Sequence, residues 1–175
     1  MLKMKGKVRI KACEFGCGTG QHVVDFDKSP EVPEGWTILP DSEQLPNRVR
    51  GMVTVTTNTV RFHWDDCQND GCIKGKDLRE KLEKEQVYGD QLLDFYLANS
   101  QFIPEEWKNQ RIYFWGVIYR SGCGGFYVRH LWWDARGQKW SWNYGWFEDY
   151  WRNNQPAAVS PLGCLITEHC VPCTD

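Results

Sequence analysis

The sequence predicts an α+β fold: an N-terminal β-rich unit, a helical pair and a C-terminal Trp-rich three-stranded antiparallel meander. Three observations carry that expectation. Apolar residues alternate with charged or polar ones, cut by Gly- and Pro-rich turns, through the first seventy positions. Two stretches between residues 76 and 98 then carry apolar residues at helical spacing. Between Phe102 and Trp151 lie 17 of the 25 aromatic residues and eight of the ten tryptophans, in runs separated by glycine turns.

Taken in order, Val8, Ile10 and Ala12 alternate with Lys7, Arg9 and Lys11, which predicts a strand with one wet face. The run from His22 to Phe26 is its expected partner. Pro30, Pro33, Pro40 and Pro46 exclude a long helix or a central strand between residues 29 and 47. Arg50 to Thr56 and Thr59 to Trp64 read as a hairpin turning at Thr57-Asn58. Asp77 can cap a helix bearing Leu78 and Leu82; its many charges, balanced in sign, suit a solvated face. Asp90 can cap a second helix with a stripe of Leu92, Leu93, Tyr96 and Leu97, ended by Asn99-Ser100. Pro104 suits the first turn of a short helix through Trp107.

The aromatic region reads as three strands, Arg111 to Arg120, Phe126 to Ala135 and Lys139 to Phe147, joined at Ser121–Gly125 and Arg136–Gln138. Those loop lengths align Phe114, Trp132 and Trp142 across the sheet, with Gly116, His130 and Tyr144 as the next row. The opposite face then holds Tyr113, Trp115, Tyr119, Tyr127, Leu131 and Trp133. A slip of one residue would swap the faces of a strand. The expected division is a β-rich unit over 1–74, helices and aromatic sheet over 75–160, and a Cys-rich tail over 161–175.

Three runs carry a resemblance: Leu92 to Asn99, Ile103 to Lys108 and Phe114 to Arg120. Residues 75 to 160 resemble a module of small bacterial proteins of uncharacterised role. The resemblance implies that helix and Trp-rich sheet form one unit, and it implies no activity.

A formal charge of -2 sets up no strong field for duplex nucleic acid or an anionic membrane. No apolar run reaches the ~18 residues of a membrane span, and the N-terminus has no apolar leader, so a soluble cytoplasmic protein is expected. Thiols in that compartment stay reduced. Cys13 with Cys17, and Cys67 with Cys72, lie in glycine-containing turns where two pairs of thiolates can converge on zinc. Cys164, His169, Cys170 and Cys173 form a second possible ligand set. Simple burial of the thiols as small apolar groups is the alternative to both.

Two enzyme readings compete. The run Glu14-Phe15-Gly16-Cys17-Gly18-Thr19-Gly20 resembles the first motif of S-adenosylmethionine-dependent methyltransferases. That resemblance implies a cofactor pocket lined by Glu14, Gly16, Gly18 and Gly20. The charged alternation before it and the four prolines after it do not suit a doubly wound sheet. The second reading pairs Cys123 with His130, or uses His63 with Asp65 and Asp66, and lacks an evident means of activating a thiol or a base.

A sheet with rings on both faces needs cover on both, since burying one such side chain stabilises by roughly 1.5–3 kcal/mol. The helix stripe covers one face. The remainder points to an interaction platform, with Trp115, Trp133, Tyr113, Tyr127 and Arg129 as its expected contact residues. A protein partner or a second copy is the first expectation. A single-stranded nucleic acid stacked on the rings between Arg111, Arg120, Arg129 and Arg136 is the next. The function expected is that of a non-enzymatic binding module, with zinc as its candidate stabiliser.

Overall fold

The structure is a computed structural model that describes residues 22–161. Eleven short strands and three helices alternate along it: β1 (His22–Asp25), β2 (Thr37–Ile38), β3 (Met52–Val55), β4 (Arg61–His63), α1 (Asp66–Asp70), β5 (Ile73–Lys74), α2 (Gly75–Leu82), α3 (Asp90–Ala98), β6 (Arg111–Tyr113), β7 (Tyr119–Arg120), β8 (Phe126–Asp134), β9 (Lys139–Trp146), β10 (Tyr150–Trp151) and β11 (Ala157–Val159). The class is α+β. Short 3₁₀ turns at Asp41–Glu43, Ser100–Phe102 and Glu105–Asn109 complete it.

The spine is β8, nine residues rich in aromatic side chains. It pairs antiparallel with β9 on one edge and, in succession, with β7 and β6 on the other. Beyond these, β7 pairs with β2, and β6 pairs in parallel with β11, which pairs with β4. Each face of this seven-stranded sheet has its own core. Ile112, Phe114 and Leu131 pack with Leu92, Leu93 and Tyr96 of α3. Tyr113 and Val128 belong to the opposite cluster, with Leu78 and Leu82 of α2, Trp115 and Trp151. Residues on both sides of the expected 74/75 division share this sheet, because β2 and β4 are two of its strands.

Four expectations need correcting. The turn at Thr56–Thr59 forms, with the Thr56 N–H donating to Thr59 Oγ1 at 2.6 Å, but the strands it joins part company. β3 pairs with β1, and β4 pairs with β11. The reason is burial: Val24 and Val55 go under α3, while Phe62 is carried across from Ala158 to reach Trp107. The strand expected over Arg111 to Arg120 is split. Arg111 pairs with Trp132 and Tyr119 with Tyr127, so eight positions on one chain span five on β8. Phe114–Ile118 stand where β8 has only two residues, and all five are buried. The Phe114 N–H still donates to the Arg129 carbonyl at 3.0 Å, after which the chain bulges away and the Gly116 N–H donates to the Tyr88 carbonyl at 2.9 Å. Gln44 fastens this insert to the proline-rich segment: its amide nitrogen donates to the Leu39 and Ile118 carbonyls, and its oxygen accepts from the Ile118 N–H.

The third correction is register. Trp132 pairs with Ser141 and Trp133 with Trp140, one residue away from the alignment the three-residue loop implied. The turn takes four residues, Ala135 to Gln138, with Gln138 at φ 50°. Fourth, Cys67 lies on a helix and not in an open turn. Asp65 and Gln68 form a capping box around α1, and the Gln68 amide donates to the Arg152 and Gln155 carbonyls. The two longer helices start close to their expected caps. α2 begins two residues before Asp77, and Asp90 is the first residue of α3, behind Gly89.

Gly116 marks where backbone meets backbone. A Cβ there would lie 2.6 Å from the Gly89 nitrogen and 2.7 Å from the Tyr88 carbonyl carbon. Main chain cannot rotate aside as a side chain can, so Gly116→Ala is expected to cost about 1–3 kcal/mol. A lower urea midpoint with an unchanged folded-state circular dichroism spectrum is the expected result; an unchanged midpoint would contradict this packing.

Candidate functional site

The most unusual chemistry in the protein is a buried ionic cluster between α3 and the sheet. Arg129 sits mid-way along β8 with its side chain toward α3. Its Nη2 donates to Asp94 Oδ1 at 2.9 Å and its Nη1 to Asp90 Oδ2 at 3.4 Å. The Tyr119 hydroxyl, from β7, donates to the same Asp90 oxygen at 2.5 Å. Asp90 is fully buried, and its other oxygen is enclosed without a partner.

Burial pushes the Asp90 carboxyl up to about 7, against the opposing pull of Arg129 and the Tyr119 hydrogen bond. Burial alone would lower the Arg129 pKa, but the two carboxylates outweigh it and hold the guanidinium charged. Tyr119 is raised by burial and by Asp90.

Aromatic rings roof this cluster. The Arg129 guanidinium carbon lies 4.2 Å from the centre of the Trp142 ring. Trp36 packs on Tyr127 and Tyr144 with ring centres 4.6 and 4.8 Å apart. A cleft of about 250 Å³ opens here, lined by Glu31, Pro33, Arg129, Trp142 and Tyr144. A second cleft, of about 270 Å³, lies on the opposite face of the same two strands. Arg111, His130, Trp132, Asn143, Trp146 and Gln155 are among its lining residues. His130 is stacked on Tyr113 at 4.6 Å and held neutral, its pKa pushed down to about 4 by burial and by Arg111.

Between the two clefts runs β9, which among the described residues has β8 as its one partner strand. The Phe147 N–H donates to the Phe126 carbonyl at 2.9 Å, which fixes the phase of the ladder. Lys139, Ser141, Asn143 and Gly145 therefore bond inward to β8, and Trp140, Trp142, Tyr144 and Trp146 turn their main-chain groups outward. Of these, the Tyr144 N–H is taken by Asn143 Oδ1 at 2.8 Å. Trp142 is 44% exposed and Trp146 51%.

Of the expected contact residues, Trp115, Tyr113 and Arg129 are buried, a correction. Trp115 lies in the insert that leaves the ladder and packs on Trp151 at 4.8 Å. Tyr113 is enclosed between His130 and Trp151, in space that Gly145 leaves open for its ring. Arg129 is turned inward by Asp90 and Asp94. Trp133 and Tyr127 are half-buried. Among the described residues the large aromatic rings at the surface are Trp64, Trp142, Trp146 and Tyr150, with Trp36 half-buried. The register slip hid Trp142, and Trp36 sits in a proline-rich stretch without strand periodicity. Asp90 was legible only as a helix cap.

The expected metal ligands Cys67 and Cys72 are exposed and free, and the carboxylate of Asp65 raises the Cys67 thiol pKa. Cys13, Cys17, the Glu14–Gly20 run and the tail set Cys164, His169, Cys170 and Cys173 lie outside the described residues. Zinc on the first two pairs thus rests on spacing alone; among the described residues no group of three His, Cys, Asp or Glu could hold a metal ion. His63 pairs with Glu85 at 3.1 Å, and Cys123 is exposed in its turn while His130 is enclosed. Among the described residues no helix is long and apolar enough to cross a membrane. Comparison with family models, curated proteins and solved structures finds no match.

The ionic cluster makes stability depend on pH. Unfolded, Asp90 releases its proton near its ordinary value of 3.8; folded, it keeps the proton up to about 7. The folded state binds more protons across that window, so this contribution is fully present below it and is lost as pH rises through about 7. Asp90→Asn is expected to remove that fall, by a few kcal/mol at most, in urea titrations run from pH 4 to 8. Parallel pH profiles for both proteins would contradict it.

Proposed function

We propose that the protein is a non-enzymatic interaction module that takes an extended polypeptide segment as an added strand along β9. The observation that carries this reading is the outer edge of β9, with which no other strand among the described residues pairs. It is eight residues long, contains no proline, and is guarded by a single terminal lysine, Lys139. Soluble proteins rarely leave such an edge bare, because each outward N–H and C=O is a template for another chain.

The surroundings support the same reading. Side chains of a strand laid against β9 alternate between the faces of the sheet. One set faces the cleft of Glu31, Pro33, Trp142 and Tyr144; the other faces the cleft of His130, Asn143 and Trp146. Main-chain bonds along the edge supply affinity, and two chemically different clefts supply selection. A nucleic-acid role has less support, since Arg129, the arginine nearest the exposed rings, has its charge engaged by Asp90 and Asp94.

A heptapeptide selected from a randomised phage library tests this. Its binding is expected to slow amide exchange at Trp140, Trp142 and Trp146. Trp142→Pro removes an outward donor that β8 does not use, so it should weaken binding about tenfold or more while the protein stays folded. A bound peptide that leaves those amides exchanging freely, or that binds Trp142→Pro equally well, would refute strand addition.

A further inference from the structure

We infer that the strand received by β9 is β9 of a second copy of this chain, giving a twofold dimer with one sheet continuous across both molecules. The inference rests on the strand-addition reading above and names its partner. Two features of the sequence around the edge select a copy of itself.

The first is charge polarity. Arg136 and Lys139 stand at the start of β9, and Glu148 and Asp149 stand just past its end; all four are exposed. Antiparallel pairing of two copies lays the basic end of each strand beside the acidic end of the other, at both ends of the interface. A strand with this order of charges is complementary to itself only in the antiparallel sense, the sense a twofold axis requires.

The second is register. An axis through Asn143 sets Trp142 opposite Tyr144 of the second copy, and Trp140 opposite Trp146 of the second copy, each pair occurring twice. All four are residues whose main-chain groups turn outward, so these become the hydrogen-bonded pairs of the new ladder. Every aromatic residue of β9 then has an aromatic partner, and the two exposed indoles of this strand, Trp142 and Trp146, are covered. The same register brings Lys139 opposite Phe147 of the second copy, one position from its Glu148. Moving the axis to Trp142 sets Trp146 opposite Gln138 and carries Lys139 three positions from that glutamate, losing both matches. Asn143 has to release the Tyr144 N–H it holds at 2.8 Å, a local exchange of one acceptor for another.

Sedimentation velocity on the full chain across micromolar concentrations tests the inference, with hydrogen exchange of the β9 amides alongside. The expected result is a dimer in which Trp140, Trp142 and Trp146 amides are protected. Lys139→Glu and Glu148→Lys should each weaken it about tenfold, since every pair occurs twice, and the double reversal should restore it. A dimer indifferent to both reversals, with β9 amides exchanging freely, overturns the inference, as does a protein that stays monomeric throughout. In the monomeric case a selected heptapeptide separates the two claims. If it protects the β9 amides, strand addition stands and only the second copy fails; if nothing protects them, both fail.

Discussion

Both faces of β8 must be kept from water, and most of the architecture follows from that requirement. Val128 on one face and Leu131 on the other are completely enclosed, and each belongs to a different core. Residues close in sequence cannot supply two covers at once. α3 lies over Leu131, while α2 with Trp115 and Ile118 of the insert closes the side of Val128. The chain before residue 74 supplies the rest, with Leu39 and Leu45 on one face and Val24, Phe26 and Val55 on the other. Apolar burial at roughly 25 cal/mol per Å² is what recruits these distant segments, and it overrides the local preference of residues 50–64 to close as a hairpin.

Arg129 is the exception within that dry layer, and it ties the layer together. A guanidinium with almost no exposed surface loses its hydration, and the two carboxylates of Asp90 and Asp94 offset that loss through its Nη atoms, while the buried Nε has no partner. Asp90 and Asp94 are one helical turn apart, so a single residue of β8 engages both and fixes how far α3 slides along the sheet. Tyr119 reaches the Asp90 carboxylate from β7, which ties that piece of the divided strand to the helix. Such a cluster adds little net stability over an apolar replacement. What it contributes is a unique arrangement of α3, β7 and β8, with Trp142 held over the cationic end.

Local patterns made much of this legible. The leucine stripes marked α2 and α3 to within about two residues at their starts, and the glycine turns marked β8 and β9 to within one residue at each end. What sequence alone did not resolve was pairing. β3 and β4 adjoin in sequence and pair with β1 and β11, partners chosen by which face each side chain has to bury. The insert Phe114–Ile118 is as rich in β-formers as any strand here, and only Gly116 hinted that its backbone meets other backbone. The site suffered from the same cause. Arg129 reads from sequence as one of several arginines among the rings of a contact surface, yet its inward direction depends on Asp90 and Asp94, more than thirty residues away.

The turn at Ala135–Gln138 shows how a local detail decides where the site lies. With three residues in that loop, Trp142 would stand beside Trp132, and Tyr144 beside His130, on the face opposite Arg129. The fourth residue advances β9 by one, moving every second side chain through the plane of the sheet. Trp142 then covers the guanidinium, Tyr144 meets Trp36, and small Gly145 comes to lie where the Tyr113 ring needs room. The same step determines which main-chain groups face outward, because direction of bonding and side-chain face alternate together along a strand. The four outward positions are therefore the four aromatic ones. An edge that exposes hydrogen-bonding groups and large rings at the same residues offers affinity and apolar area to one and the same strand, whereas inward-bonding Ser141, Asn143 and Gly145 offer it little bulk to avoid.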